Sequence, residues 1–253
     1  MRHNLDHRLK LWHRIKIFLK YYLKRSDKEP VFVISERRTG SSLLLSYLSS
    51  IPDVSSAGEV IRKLWTLSRS GVLHHIQYSI NNCKHKLCFA KLFQSDLEAR
   101  KVDLKDIKNH IPNARFVILY RRSLLDQFLS FRIAEMTNHY RWNEDFKLPP
   151  FIHVSKSELL EFCEETKNHY KQMLSHDWLK DCSIIVDYEN LVSNPQKVFD
   201  KTIFPFLGLT SCSVSTEMCK QNTKKPEELV ANYEEIKPFV SAPCVLQEYS
   251  FNA

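Results

Sequence analysis

Short apolar runs separated by helical patterns constrain this chain more than any other feature. Residues 31–35 (VFVIS), 87–91 (LCFAK), 115–120 (RFVILY) and 183–187 (SIIVD) read as strands, with a weaker candidate at 152–154. Helical spacing predicts helices over 41–50, 59–69, 95–101, 123–137, 156–176 and 195–206. Strands that are apolar on both faces and alternate with helices belong to a parallel sheet covered on both sides. The expected fold class is therefore α/β: a three-layer, P-loop-like fold with a central, mainly parallel β-sheet flanked by helices.

A chain of 253 residues suits one large α/β domain or two small ones. The breaker KLPPF at 147–151 marks a candidate junction between two lobes of a single domain. The expected organisation is a basic amphipathic N-terminal helix over 1–28 and a single α/β domain over 29–253. In the first of these, Leu11, Ile15, Phe18, Leu19 and Tyr22 recur at helical spacing with Lys and Arg between them. Such a helix suits either packing on its own domain or peripheral contact with an acidic membrane. It has no apolar core of a signal peptide, and no apolar run in the chain is long enough to span a bilayer. Seven cysteines without a CxxC pair fit free thiols in a reducing compartment rather than a disulfide framework or a zinc site. A cytoplasmic location, with optional peripheral membrane contact, is the expectation.

The net charge of +8 favours anionic partners without choosing among nucleotide, sulfate, nucleic acid or membrane. Position narrows the choice. Ligands of doubly covered parallel sheets bind at the carboxyl ends of the strands, which puts 35–42, 91–94 and 120–123 on one rim. In SERRTGSSLLL a helix begins near Ser41, so its first amides lack intrahelical partners and carry the positive end of the dipole. Gly40 lets the backbone approach a ligand, Thr39, Ser41 and Ser42 add hydroxyls, and Arg37 and Arg38 add charge. Together they make an anion cradle, although a capped helix beside surface arginines would read the same way. A Walker lysine is missing, because Ser41 stands where GxxxxGK[ST] requires lysine. Asp187 is the nearest approach to a magnesium-binding strand-end acid. Mg²⁺-ATP is therefore disfavoured, and an anion held by arginine without a metal is expected.

On the same rim, a strand ending at Tyr120 is followed by Arg121, Arg122 and a helix. Ser130 lies eight residues after Arg122, about two helical turns along, so both could meet one anion. Lys91 ends the LCFAK strand and points at this rim, as a stabilising cation or an ordinary surface residue.

These motifs carry a resemblance. ISERRTGSSLL is similar to the 5′-phosphosulfate loop of sulfotransferases that use 3′-phosphoadenosine 5′-phosphosulfate (PAPS), and VILYRRSLLDQFLS to their 3′-phosphate element. DYENLVSNPQKVFDKTIFPFLGL at 187–209 resembles a segment common near their C-termini. FAKLFQSDL at 89–97 and KQNTKKPEELVANYEEI at 220–236 resemble the Stf0 and nodulation-type carbohydrate branch.

The resemblance implies a PAPS-dependent sulfotransferase that releases 3′,5′-adenosine bisphosphate (PAP), needs no metal, and acts on a hydroxyl of a carbohydrate or glycolipid. Arg38, Ser41, Ser42 and the loop amides would hold the 5′-phosphosulfate, with Arg37, Thr39 and Gly40 in the same loop. Arg122 and Ser130 would hold the 3′-phosphate. Glu59 falls where carbohydrate sulfotransferases carry a catalytic Glu, though an acid opening a helix at 59–69 is equally ordinary. Lys91 would stabilise the transferring group or the leaving phosphate. Lys220, with Gln221, Lys224 and Lys225, would close the 3′-phosphate site, or forms a solvated charge run. His74 and His75 are a rival base, and Trp142 is a candidate stacking ring or a packing residue. Two other readings stay open: a P-loop kinase, and a non-catalytic module binding anions, RNA or acidic membrane. The arginines cluster at strand ends rather than along one basic face, and no RNA motif is evident.

Overall fold

A computed structural model describes residues 27–61, 67–138, 149–218 and 224–240. Five strands form one sheet: β1 (Glu29–Ser35), β2 (Val54–Glu59), β3 (Leu87–Phe93), β4 (Arg115–Tyr120) and β5 (Ser183–Asp187). Their order is β2-β3-β1-β4-β5, and all four neighbouring pairs are parallel. The expected α/β class and its mainly parallel sheet are observed. Around the sheet lie helices α1 (Ser41–Ser49), α2 (Arg69–Asn81), α3 (Gln94–Glu98), α4 (Leu104–His110), α5 (Leu124–Thr137) and α6 (Lys156–Leu174). They are followed by α7 (Asp177–Lys180), α8 (Tyr188–Ser193), α9 (Pro195–Val198), α10 (Phe204–Leu207), α11 (Pro226–Leu229) and α12 (Tyr233–Val240), with a π-turn over Phe199–Ile203 joining α9 to α10.

Strand alternation builds two cores. Val31 and Val33 of β1 point to one face, where they pack with Leu44 and Leu48 of α1, Leu191 of α8, and Phe199 and Phe204. Phe32 and Ile34 point to the other, against Ile76 and Ile80 of α2, Ile107 of α4, and Tyr170 and Met173 of α6. Both faces are dry, which is why β1 reads as an uninterrupted apolar run. A smaller third cluster joins Phe128 and Leu129 of α5 to Leu159 of α6, Leu229 of α11 and Ile236 of α12.

Two expectations about elements need correction, and two elements, β2 and α4, were not expected. The helix expected over 59–69 is not formed at its start: Glu59 closes strand β2, and α2 begins at Arg69, with the Ser68 hydroxyl accepting from the Gly71 amide at 3.2 Å. VSSAGE carries too little apolar surface to announce a strand; it becomes one because β3 supplies its ladder. The weak strand at 152–154 is a single bridge, Ile152 to Val230, pinned by the third core rather than by the sheet. Helix α4 was not foreseen, although Asp103 and Asp106 form a capping box at its start. The expected helix over 1–28 lies outside the described residues except for Asp27 and Lys28, which precede β1. No helix among the described residues is long and apolar enough to cross a membrane.

The parallel sheet sends the ends of β1, β2, β3 and β4 to the same rim. That rim carries the loop 36–40, Glu59, Lys91 to Phe93, and Arg121 to Ser123.

Candidate active site at the strand ends

The loop leaving β1 is held from below. The Thr39 side chain is fully buried and its hydroxyl donates to the Glu36 carbonyl at 2.7 Å, so it ties the loop to itself. Arg38 sits at φ 66, a left-handed conformation that costs a non-glycine residue about 1–2 kcal/mol. Such strain is retained where the surroundings over-determine it. Here the Arg38 Nε donates to the Ser130 Oγ on α5 at 3.0 Å, and its carbonyl lies 3.5 Å from the Arg121 guanidinium. Gly40 caps α1 at φ 89, and a β-carbon there would stand 2.4 Å from Cδ2 of Tyr188. Gly40 therefore answers to a neighbouring ring as well as to a turn. Having no side chain, it offers no oxygen to the first amides of α1. Ser41 is buried and Ser42 half-buried at that first turn.

The end of β2 and the last residues of β3 meet at this turn; β3 continues two residues beyond Lys91 to Phe93. In the β2–β3 register Glu59 pairs with Lys91. The Lys91 ammonium lies 3.2 Å from the Glu59 Oε2 and 3.3 Å from the Ser42 Oγ. Lysine and glutamate side chains are 8% and 17% exposed, so the pair is only weakly screened by water. The Phe93 ring lies under two cations, 4.9 Å from the Lys91 Nζ and 4.8 Å from the Arg37 guanidinium.

Arg37 turns away from the loop's mouth. Its guanidinium binds Asp96 of α3 at 2.8 Å, and its carbonyl accepts from the Gln127 side chain of α5 at 2.8 Å. Arg37 thus braces the loop between two helices.

At the end of β4 the two arginines divide. Arg121 is buried, packs 4.6 Å over the Tyr188 ring, and faces Asp126 at 3.7 Å and Glu189 at 4.0 Å. Arg122 is 40% exposed and binds Asp187 at 2.9 Å and Glu189 at 3.6 Å. The Glu189 carboxylate also accepts from the backbone amides of Arg122 at 3.0 Å and Ser123 at 3.2 Å. The structure therefore joins Ser130 to Arg38, while Arg122 is turned to the acids of β5 and α8.

The remaining candidates are more dispersed. His74 and His75 lie on helix α2 rather than in a loop. The His74 ring meets that of His110 edge-on at 5.0 Å. Burial pushes the His75 imidazole below its ordinary pKa, against a hydrogen bond to the Val60 backbone. Lys220, Gln221 and Trp142 lie outside the described residues. Lys224 and Lys225 lead into α11, where the Lys225 amide donates to Glu228 at 3.3 Å. The cysteines within the described residues, 83, 88, 163, 182 and 212, form no disulfide. Among the described residues no group of three or more His, Cys, Asp or Glu is placed to hold a metal ion.

Sequence reading passed over several groups that shape the rim. Asp96, Tyr188 and Glu189 are among them, although Tyr188 and Glu189 lie within the quoted 187–209 stretch. Glu36 and His169 are others: the His169 Nδ1 lies 2.7 Å from the Glu36 Oε1, and its Nε2 lies 3.1 Å from the Glu98 Oε2. No local signal links residues 133 positions apart.

No family model and no curated protein matches the chain. Solved structures do. A sulfotransferase from Alicyclobacillus acidocaldarius superimposes with a TM-score of 0.54 at 14% identity, covering 86% of this chain and 92% of that one. Mouse sulfotransferase SULT7A1 complexed with PAP gives 0.49 at 13% identity, covering 78% of this chain and 64% of its own. At such identities the likeness is one of fold.

Proposed function

We propose that this chain is a PAPS-dependent sulfotransferase that moves a sulfuryl group to a hydroxyl of a carbohydrate or glycolipid acceptor and releases PAP. The observation that carries the reading is Lys91, set between the Glu59 carboxylate and the Ser42 hydroxyl at the first turn of α1. A base, a cation and an anion-binding helix start thereby share one point. The fold held in common with the Alicyclobacillus sulfotransferase supports it, as does the sequence resemblance to the Stf0 and nodulation-type branch.

The donor set fits a phosphosulfate. The first amides of α1 receive no side-chain cap, Ser41 and Ser42 add hydroxyls, and Arg38 and Lys91 add positive charge. In the proposed reaction the acceptor oxygen attacks sulfur in line. The bond from sulfur to the bridging oxygen breaks, and its electron pair leaves with the 5′-phosphate of PAP. Charge grows on that phosphate, so the protein's task is positioning and electrostatic stabilisation. Glu59 takes the acceptor's proton. Once it does, its claim on Lys91 weakens, and the ammonium is released toward the leaving phosphate as negative charge accumulates there. Arg122 and the helix start of α5 serve the 3′-phosphate, for which Arg122 must exchange Asp187 and Glu189 for phosphate oxygens.

The test is transfer of radiolabelled sulfate from PAPS to a panel of oligosaccharides and glycolipids by the full chain, with PAP binding followed by calorimetry. Transfer abolished in Glu59→Ala with PAP binding retained supports the reading. A melting temperature raised by Mg²⁺-ATP but not by PAP overturns it in favour of a kinase, and salt-sensitive RNA binding without a PAP effect overturns it in favour of a binding module.

A further inference from the structure

We propose that His169, protonated on both nitrogens between Glu36 and Glu98, is a positioning residue for the loop carrying Arg37 and Arg38, and that its proton tunes how firmly that loop holds an anion. The first half stands on geometry alone; the second rests on reading the loop as the donor site.

Glu36 is the first residue after β1 and is buried. A buried carboxylate is tolerated only when paired. It turns inward to α6, where the His169 Nδ1 meets it at 2.7 Å, while the Nε2 of the same ring meets Glu98 of α3 at 3.1 Å. The Nδ1 contact is a hydrogen bond and the Nε2 contact an ion-pair distance, so the ring is flanked by a carboxylate on each side, an arrangement that favours the imidazolium. The next residue completes the clamp. The Tyr170 hydroxyl accepts from the Glu36 amide at 3.3 Å and donates to the Leu119 carbonyl in β4 at 2.8 Å. Two consecutive residues of α6 thus tie the root of the loop to β4 and to α3.

The charges around the ring favour the proton. Glu36 comes from the loop, Glu98 from α3 and Glu165 from α6 itself. The cations of the adjoining segments, Arg37 of the loop and Arg100 just after α3, are directed to Asp96 at 2.8 and 3.7 Å. The hydrogen bond to Glu36 is the largest influence and raises the imidazole above its ordinary pKa, against the opposing effect of burial. Because the folded value lies above the unfolded one, the stabilisation is complete below the ordinary histidine range. It is lost as pH rises through the raised value. At that point Nε2 presents a lone pair to Glu98, the tie to α3 opens, and the rim loses one positive charge. Both changes weaken anion binding, so they act in the same direction.

The experiment uses the full chain from mildly acidic to mildly alkaline pH. It combines imidazole NMR of His169, amide hydrogen exchange of residues 36–42 corrected for intrinsic rates, and PAP calorimetry. Loop protection and PAP affinity should fall together by about fivefold, the worth of one net hydrogen bond, with the midpoint of the His169 titration. Glu98→Gln should move all three midpoints to lower pH, and His169→Gln should flatten the exchange profile. An unchanged midpoint in Glu98→Gln, or a wild-type pH profile in His169→Gln, overturns the proposal. Glu98 is 40% exposed, so its substitution spares the fold and decides the matter even if His169→Gln does not fold. If the wild-type chain binds no PAP at any pH, the functional reading fails, while exchange and NMR still decide whether the strut exists.

Discussion

Glu59 at the end of β2 and Lys91, two residues before the end of β3, stand opposite each other in register with Oε2 and Nζ 3.2 Å apart. Strand β3 runs past the expected stop at Lys91 to Phe93. Neighbouring strands thus deliver an acid and a cation to one point without any contribution from loop conformation. Removal of the carboxylate should separate chemistry from binding. Glu59→Gln should lower single-turnover sulfuryl transfer by about 10²–10⁴-fold, the usual worth of a positioned base, while PAP affinity by calorimetry stays within about threefold of wild type.

The same pair makes a stability prediction. Lys91→Met leaves a mostly buried carboxylate without its ammonium and should destabilise the chain by about 3 kcal/mol in urea unfolding. Adding Glu59→Gln should recover more than half of that loss, because the uncompensated charge is then gone. Additive losses in the double-mutant cycle would show that the two groups are not coupled.

Gly40→Ala should be costly for two separable reasons. A φ of 89 costs an L-residue about 1–2 kcal/mol, and the new β-carbon would meet the Tyr188 ring at 2.4 Å. Urea unfolding should therefore show a larger loss for Gly40→Ala in the wild-type chain than in a Tyr188→Ala background, where only the backbone cost remains.

Arg122 carries a prediction about ligand selection. Its side chain is held by Asp187 and Glu189. If it exchanges them for a 3′-phosphate, Arg122→Ala should weaken PAP roughly tenfold or more and leave adenosine 5′-monophosphate binding unchanged. Equal weakening of both nucleotides in calorimetry would remove Arg122 from the 3′-phosphate.

Three strands, β1, β3 and β4, were legible because they are buried on both faces, and double burial writes a continuous apolar run into the sequence; β5, half-buried at one edge, was legible from its β-branched Ile-Ile-Val run. Strand β2 was not, because an edge strand of small residues borrows its stability from the β3 ladder and leaves no apolar signature. The composite helix at 195–207 was visible as a helical pattern, whereas its π-turn was not.

What the sequence determined by itself was local: four of the five strands and most of the longer helices, that a glycine and hydroxyl-rich turn follows β1, and that arginines follow β1 and β4. Which side chains face one another was decided only by the tertiary structure. The ladder register set Lys91 against Glu59, the packing of α5 brought Ser130 to Arg38 rather than to Arg122, α3 took Arg37 through Asp96, and α6 reached the loop through His169. The physical reason is that helix and strand formation follow from spacings of a few residues. Pairing of charges instead depends on which strand ends and helix faces the closed core carries to the same rim.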